Sequence, residues 1–119
     1  MPTRDKGDER SSLLQGTLDL LILGSLVLGP QHGQGIARSI QHESESVFLV
    51  DHGSLYLALQ RLEEKGWVDA KWGVSDNNRR ARFYKLTAKG RSRLTDKTAE
   101  WRKIAGAMAR ILRTGESEA

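Results

Sequence analysis

The stretch that decides the fold runs from residue 51 to residue 66 and reads Asp-His-Gly-Ser-Leu-Tyr-Leu-Ala-Leu-Gln-Arg-Leu-Glu-Glu-Lys-Gly. Three leucines recur at the i, i+4, i+7 spacing that stacks side chains on one helix face: Leu55, Leu59 and Leu62. Asp51 or Ser54 can cap the start by accepting a backbone N–H, and Gly66 suits a left-handed stop at the end. The stretch therefore predicts a single helix with one apolar face.

A two-stranded hairpin is predicted directly after this helix. Apolar residues alternate at positions 68, 70 and 72 and again at 84 and 86, and the polar run 75–78 between them has asparagine-rich turn chemistry. Arginines stand at positions 79, 80 and 82 of the returning segment, and Trp67 and Trp72 are interpreted as core residues. A helix followed by a basic hairpin is the layout of a winged helix-turn-helix, in which the helix enters a DNA groove and the hairpin forms the wing.

The remaining segments complete a predicted fold that is mainly α with a small β-hairpin. Residues 13–28 predict an N-terminal helix ended by Gly29-Pro30, residues 31–45 the first helix of the helix-turn-helix, and residues 46–50 an apolar connector that plugs the core. A membrane span over 13–28 is rejected, because the segment is shorter than the usual ~20 residues and carries Gln15 and Asp19. Thr87 is the predicted N-cap of a last, amphipathic helix that has little core left to cover.

The predicted division of the chain has four parts. It consists of a disordered leader over 1–12, a winged helix-turn-helix domain over 13–87, a C-terminal dimerisation helix over 88–113 and a frayed tail over 114–119. Pairing of the last helix with a second copy is the natural use of its apolar stripe.

Charge is unevenly distributed along the chain. Residues 60–103 hold 13 Lys/Arg against 6 Asp/Glu, which gives +7, whereas the remainder holds 6 against 9, which gives −3. A solvated basic surface is common, but with a winged layout it favours nucleic acid, because neutralised phosphates supply most nonspecific affinity. The chain has no cysteine, which excludes a disulfide framework or thiolate metal site and is compatible with a reducing cytoplasm.

No pattern of catalytic residues is present. His32, His42 and His52 have no acidic partner at ligand spacing, so solvated or locally bonded histidines are favoured over metal ligands. The sequence also lacks a glycine-rich phosphate loop, a nucleophile elbow and a metal-ligand cluster. It therefore predicts a protein that is not an enzyme and has no cofactor and no metal.

Several of these blocks together resemble the PadR family of bacterial transcriptional regulators. The matching blocks are Gly53-Ser54-Leu55-Tyr56-Leu57-Ala58-Leu59, Arg61-Leu62-Glu63, Gly66-Trp67, Arg79-Arg80-Ala81 and Leu86-Thr87, with residues 14–23 and 30–33 matching the family's opening segments. The resemblance covers roughly residues 13–112. It implies a cytoplasmic repressor that acts as a homodimer on a pseudo-palindromic operator in double-stranded DNA. A winged-helix module that binds a protein partner, without specific DNA binding, is the alternative.

The layout and the resemblance together select the candidate site residues. The predicted DNA-binding residues are His32, Gln34, Ser54, Tyr56, Gln60, Arg61, Arg79, Arg80 and Arg82. The predicted dimer interface comprises Leu14, Leu18, Leu21, Trp101, Ile104, Ala105, Met108, Ile111 and Leu112. Similarity to relatives in which a tryptophan on this helix lines a cavity for planar aromatic compounds makes Trp101 a candidate effector contact, with a plain interface anchor as the alternative.

Two residues depart from the pattern of the resembled family. Gln34 stands where the family commonly has tyrosine, which keeps a hydrogen-bonding group but loses the ring. Leu57 replaces the proline of the family's Leu-Tyr-Pro-Ala-Leu block. A leucine exposed beside the groove could contact a thymine methyl group, or the substitution could be neutral, and both interpretations stay open.

Overall fold

The computed structural model describes residues 16–118, with side chains described as far as residue 113. The elements in chain order are helix α1 over residues 16–25, strand β1 (Gln31–His32), helix α2 (Gly33–Glu43), helix α3 (His52–Glu64), strand β2 (Val68–Val74), strand β3 (Arg80–Leu86) and helix α4 (Ala88–Glu118). The predicted leader and Leu14 of the predicted dimer interface lie outside the described residues. The element order otherwise confirms a mainly helical chain with a hairpin between α3 and α4.

The sheet has three antiparallel strands in the order β1-β3-β2, one more than the predicted hairpin. The hairpin pairs Val68 with Leu86 at its base and Val74 with Arg80 at its outer end. The short β1 adds to the other edge of β3 by pairing Gln31 with Tyr84 and His32 with Phe83. The first helix of the helix-turn-helix consequently begins at Gly33, and the prediction of a helix from residue 31 is wrong because residues 31 and 32 are drawn into the sheet.

The core lies between helices α1, α2 and α3 and the inner end of the hairpin. Its fully buried side chains come from α1, α2, α3, β2 and the turn after α1, and they are Ile22, Leu23, Leu26, Ile36, Leu55, Leu59, Leu62 and Val68. All three leucines predicted to form the inner face of α3 are among them. Burial of each such side chain contributes about 1.5–3 kcal/mol, so the leucine spacing of α3 is one source of the stability of the fold.

The ends of α3 form as the sequence predicts. The Asp51 carboxylate accepts a hydrogen bond from the backbone N–H of Ser54 at 2.9 Å. That bond lowers the pKa of Asp51, so the cap stabilises the fold above the ordinary carboxyl pKa and is lost as the pH falls through the lowered value. Gly66 adopts φ of 76°, the left-handed conformation that ends the helix without a Cβ penalty.

Thr87 joins the end of α3 to the start of α4. Its hydroxyl donates to the Gly66 carbonyl oxygen at 2.7 Å and accepts from the Gly90 N–H at 2.9 Å, which confirms the predicted N-cap. Its backbone N–H donates to the carbonyl oxygen of Trp67 at 3.1 Å. Gly90 packs directly on this peptide, since a Cβ at Gly90 would lie 2.0 Å from the Trp67 carbonyl oxygen. The start of α4 is therefore fixed against the start of β2 by backbone contact.

Four sequence predictions need correction. Residues 26–28 form a turn, so α1 ends before residue 28. Trp72 is 57% exposed rather than part of the core, because β2 continues outward beyond the helices. In the connector, Phe48 and Val50 pack against the core but their neighbours at 47 and 49 are exposed. The backbone of α4 stays helical to Glu118, past the predicted end at residue 113.

Within the described range, no helix is both long and apolar enough to cross a membrane.

Candidate nucleic-acid interface

A cleft of about 600 Å³ lies between α3 and the hairpin and gathers most of the predicted DNA-binding residues. Predicted residues on its wall are His32, Gln34, Tyr56, Gln60, Arg79, Arg80 and Arg82. The wall also contains Glu63, Trp72 and Tyr84, which the sequence did not select as site residues. One face of α3, the start of α2 and the basic strand thus surround a single cavity, although its lining residues are up to 52 positions apart in the chain, from His32 to Tyr84.

Arg80 is held against an exposed aromatic ring on the wing. Its guanidinium carbon lies 4.7 Å from the centroid of the Trp72 ring, which stands two residues from the hairpin end of β2. Such a cation–π contact is worth about 0.5–1 kcal/mol at an exposed site, enough to restrict a long side chain without neutralising its charge. Among the described side chains, neither Arg79 nor Arg80 is paired with a carboxylate. These two arginines therefore present positive charge on the wall of the cleft that no carboxylate offsets.

Arg82 has a different environment. Its guanidinium donates to the Glu63 carboxylate at 2.9 Å. The side chain of Arg82 is 41% exposed and that of Glu63 is 34% exposed. The centroid of the Tyr84 ring lies 6.0 Å from the guanidinium carbon of Arg82, and burial raises the pKa of the Tyr84 phenol. The ion pair ties α3 to β3 and offsets the charge of Arg82, which leaves that arginine less suited to a phosphate contact than its neighbours at 79 and 80.

The start of α2 packs tightly on both β3 and α3 at the floor of the cleft. The imidazole of His32 stacks on the Phe83 ring with centroids 5.4 Å apart and planes at 14°. The Tyr56 ring crosses the first turn of α2 so closely that a Cβ at Gly33 would lie 2.9 Å from the Tyr56 hydroxyl. Tyr56 is nevertheless half exposed, so it packs with one side and faces the cleft with the other. Gln34 is exposed beside it.

Ser54 and Arg61 are not on the wall of the cleft. Ser54 lines a separate small apolar groove together with Leu18, Leu21 and Phe48. The Arg61 guanidinium points to α1, where it donates to the carboxylate of Asp19 at 2.8 Å. Asp19 is 8% exposed and is the buried charged residue of the described core. The structure thus gives Arg61 an internal partner, and its predicted contact with DNA has no support from its position.

We expect Arg61→Ala to lower stability more than it lowers DNA affinity. The substitution leaves the Asp19 carboxylate buried without its cation, and because Arg61 is itself about a third exposed the expected cost is about 1–2 kcal/mol rather than that of a fully buried pair. Chemical unfolding at constant protein concentration measures it. Arg61→Ala combined with Asp19→Asn removes both charges and should recover part of the loss. A single variant that unfolds like the unsubstituted chain would contradict the role.

The predicted interface on α4 is exposed in the single chain. Trp101, Ile104, Met108, Ile111 and Leu112 are each between 56% and 73% exposed, and Ala105 is partly buried. Leu18 and Leu21 of α1 are partly buried against the core. Among the residues that the structure describes, no three histidine, cysteine or acidic side chains converge as metal ligands would.

A helix-turn-helix followed by a basic hairpin, with a cleft between them, defines a winged helix-turn-helix protein. Residues 22–96 match the family described as the transcriptional regulator PadR-like family. The chain therefore belongs to the PadR-like family of transcriptional regulators, which are DNA-binding proteins and not enzymes. Family membership confirms both the resemblance and the prediction of a regulator rather than an enzyme.

Solved structures of similar proteins agree with this assignment. The chain is 33% identical to a PadR family transcription regulator from Clostridium difficile, with a TM-score of 0.69 over 80% of this chain and 97% of that one. It is 25% identical to a transcriptional regulator from Clostridium thermocellum, with a TM-score of 0.74 over 84% and 94% of the two chains. Bacillus subtilis PadR, whose structure was solved in complex with operator DNA, is 25% identical with a TM-score of 0.60 over 67% of this chain and 45% of that one.

Proposed function

We propose that this regulator is a cytoplasmic repressor that acts as a homodimer on a pseudo-palindromic operator. The observation that carries the proposal is the cleft in which the exposed face of α3 meets Arg79 and Arg80, two wing arginines without a carboxylate partner among the described side chains. The operator complex of the Bacillus subtilis relative supports the same partner for this chain. Repression, as opposed to activation, rests on the family alone.

The proposed docking places α3 in the major groove and the wing over the flanking backbone. In a dimer, the two α3 helices would enter successive major grooves with centres about 34 Å apart, which requires two half-sites one helical turn apart. Arg79 and Arg80 would contact phosphates or the narrow minor groove of an A·T segment, which attracts arginine. From their positions at the starts of α2 and α3, His32, Gln34 and Tyr56 would face the backbone of the other DNA strand.

The exposed apolar stripe of α4 supports the homodimer. Trp101, Ile104 and Met108 repeat at the spacing of one helix face and are each more than half exposed in the isolated chain. A contiguous exposed apolar surface of this kind marks an interaction site on a protein surface. Residues 105, 111 and 112 extend the stripe, and Leu18 and Leu21 of α1 are the proposed contacts for the partner's helix.

Trp101 is also the proposed contact for a small aromatic effector. Its ring is 56% exposed on the stripe, so a planar compound could stack on it within the dimer. An interface anchor that binds no ligand is the alternative use of the same ring.

Fluorescence anisotropy with the upstream DNA of the chain's own gene tests the proposed function. We expect specific binding that weakens with salt and resists competitor DNA, together with a dimer in sedimentation equilibrium. Equal affinity for competitor DNA would leave an electrostatic binder whose target lies elsewhere. Absence of binding even at low salt would favour the module that docks on a protein partner.

Arg80→Ala is expected to weaken binding to all DNA sequences and to flatten the salt dependence. Each subunit of the dimer loses about one phosphate contact, so the slope of log K against log salt concentration should fall in magnitude by about 2. Anisotropy titrations at several salt concentrations measure both effects. Arg91→Ala is the matched control, because Arg91 is exposed but lies outside the cleft. An unchanged slope in the Arg80 variant would refute the wing assignment.

A further inference from the structure

The outward face of α3 has an unusual composition for a helix that contacts DNA. It is formed by exposed residues at the i, i+3, i+4, i+7 and i+11 positions, which are Gly53, Tyr56, Leu57, Gln60 and Glu64. No lysine or arginine is among them, and the one arginine of α3, Arg61, is bonded to Asp19. The face therefore lacks the side chains that bind the N7 and O6 acceptors of guanine, the commonest specific contact in the major groove.

Leu57 stands in the middle of this face and is 62% exposed. A single exposed leucine on a protein surface needs no special explanation. Leu57 lies just outside the cleft wall, but its neighbours on the face, Tyr56 and Gln60, both line the cleft, so a duplex bound there would also be brought against Leu57. The apolar group that base edges present in the major groove is the C5-methyl group of thymine, which a leucine side chain can remove from water.

We propose that Leu57 determines specificity by contacting the methyl group of a thymine, and that Gln60 reads the adjacent base pair. This inference rests on the proposed function, because it assumes that α3 lies in the major groove. Positions i and i+3 of a helix are ~4.5 Å apart along its axis, close to the ~3.4 Å rise between base pairs. The Gln60 amide can pair with N6 and N7 of adenine, so the two side chains together select neighbouring A·T pairs.

Replacement of thymine by uracil tests the contact of Leu57, since uracil lacks only the methyl group. The full-length chain is first used to select a duplex from a randomised pool, and each thymine of that duplex is then replaced in turn by uracil. We expect one thymine in each half-site at which uracil weakens binding about fourfold, the ratio that corresponds to ~0.8 kcal/mol for one buried methyl group. At that position, Leu57→Ala should bind the thymine and uracil duplexes equally.

Leu28→Ala is the matched control for this experiment. Leu28 is 99% exposed in the turn after α1, so the same substitution is made on the surface but away from α3. This variant should keep the full difference between thymine and uracil. Both variants replace an exposed side chain, and circular dichroism of each should match that of the unsubstituted chain.

The role of Gln60 is tested on the neighbouring base pair with 7-deazaadenine, which lacks the N7 acceptor. We expect this base to weaken binding by the unsubstituted chain and to have no effect on Gln60→Ala. Two outcomes overturn the readout while leaving the proposed function intact: a specific duplex with no thymine sensitive to uracil, or a sensitivity that persists in Leu57→Ala. Failure to select any duplex would instead overturn the proposed function and this inference with it.

Discussion

Ile104→Glu is expected to dissociate the dimer and to lower operator affinity by roughly 10²–10⁴-fold. Ile104 is 60% exposed in the middle of the α4 stripe, so in the proposed dimer it faces the partner's apolar surface. A carboxylate at position 104 would either be buried in the interface without a cation or force the interface to open. Opening the interface costs less free energy than burying the unpaired charge, so we expect the subunits to separate. Once the subunits separate, the second half-site no longer binds within one complex, and the affinity gained from linking two sites, about 10²–10⁴-fold, is lost.

Sedimentation equilibrium and anisotropy on the selected operator measure the two parts of this prediction. Ala99→Glu is the control, because it introduces the same charge at an exposed position of the same helix. Position 99 is two residues from Trp101, and residues two apart on a helix do not share a face, so the new carboxylate lies away from the stripe. We expect this variant to remain dimeric and to bind as the unsubstituted chain does. A dimer that survives Ile104→Glu would place the subunit interface on another surface.

Gly90→Ala is expected to destabilise the fold by about 3 kcal/mol, with a fall in Tm of roughly 10 °C or more. A Cβ at this position would lie 2.0 Å from the Trp67 carbonyl oxygen, which is main chain and cannot rotate away. The start of α4 would have to move, and with it the hydrogen bonds that Thr87 makes to Trp67 and Gly66. Thermal unfolding at a fixed protein concentration measures the effect, since a dimer's Tm depends on concentration.

Gly106→Ala provides a control of opposite sign on the same helix. A Cβ at Gly106 would find its nearest neighbour, the end of the flexible Arg110 side chain, at 3.7 Å. Alanine is favoured over glycine in a helix interior by about 1 kcal/mol, so this variant should be more stable than the unsubstituted chain. If the two variants changed stability equally, helix propensity rather than the contact with Trp67 would explain the effect at position 90.

Much of the fold could be predicted because its signals are local in the sequence. The leucine spacing of α3, the stop at Gly66 and the cap at Thr87 each depend on residues within a few positions of one another, and all three form. Strand β1 could not be predicted in this way. It has only two residues, too few to show alternation, and it exists because β3 offers a free edge about fifty positions later.

The candidate site was predicted less completely, because side-chain partners are set by tertiary structure. Arg61 has the residue type of a DNA contact, but its partner Asp19 lies 42 positions earlier and the sequence gives no sign that the two meet. The prediction that Trp72 belongs to the core is wrong because alternation indicates which face of a strand a side chain lies on, not whether anything covers that face. Glu63 belongs to the cleft through its ion pair with Arg82, a contact between two elements.

The stacking of Arg80 on Trp72 gives the wing a built-in optical reporter. Of the three tryptophans in the chain, Trp67 is 9% exposed and surrounded by Lys65, Arg93 and Lys97, and Trp101 lies on α4. Only the indole of Trp72 lines the cleft, next to a guanidinium that DNA phosphates would attract. With the other two replaced by phenylalanine, its emission would follow the arrival of a duplex at the wing in real time, without a dye on either molecule.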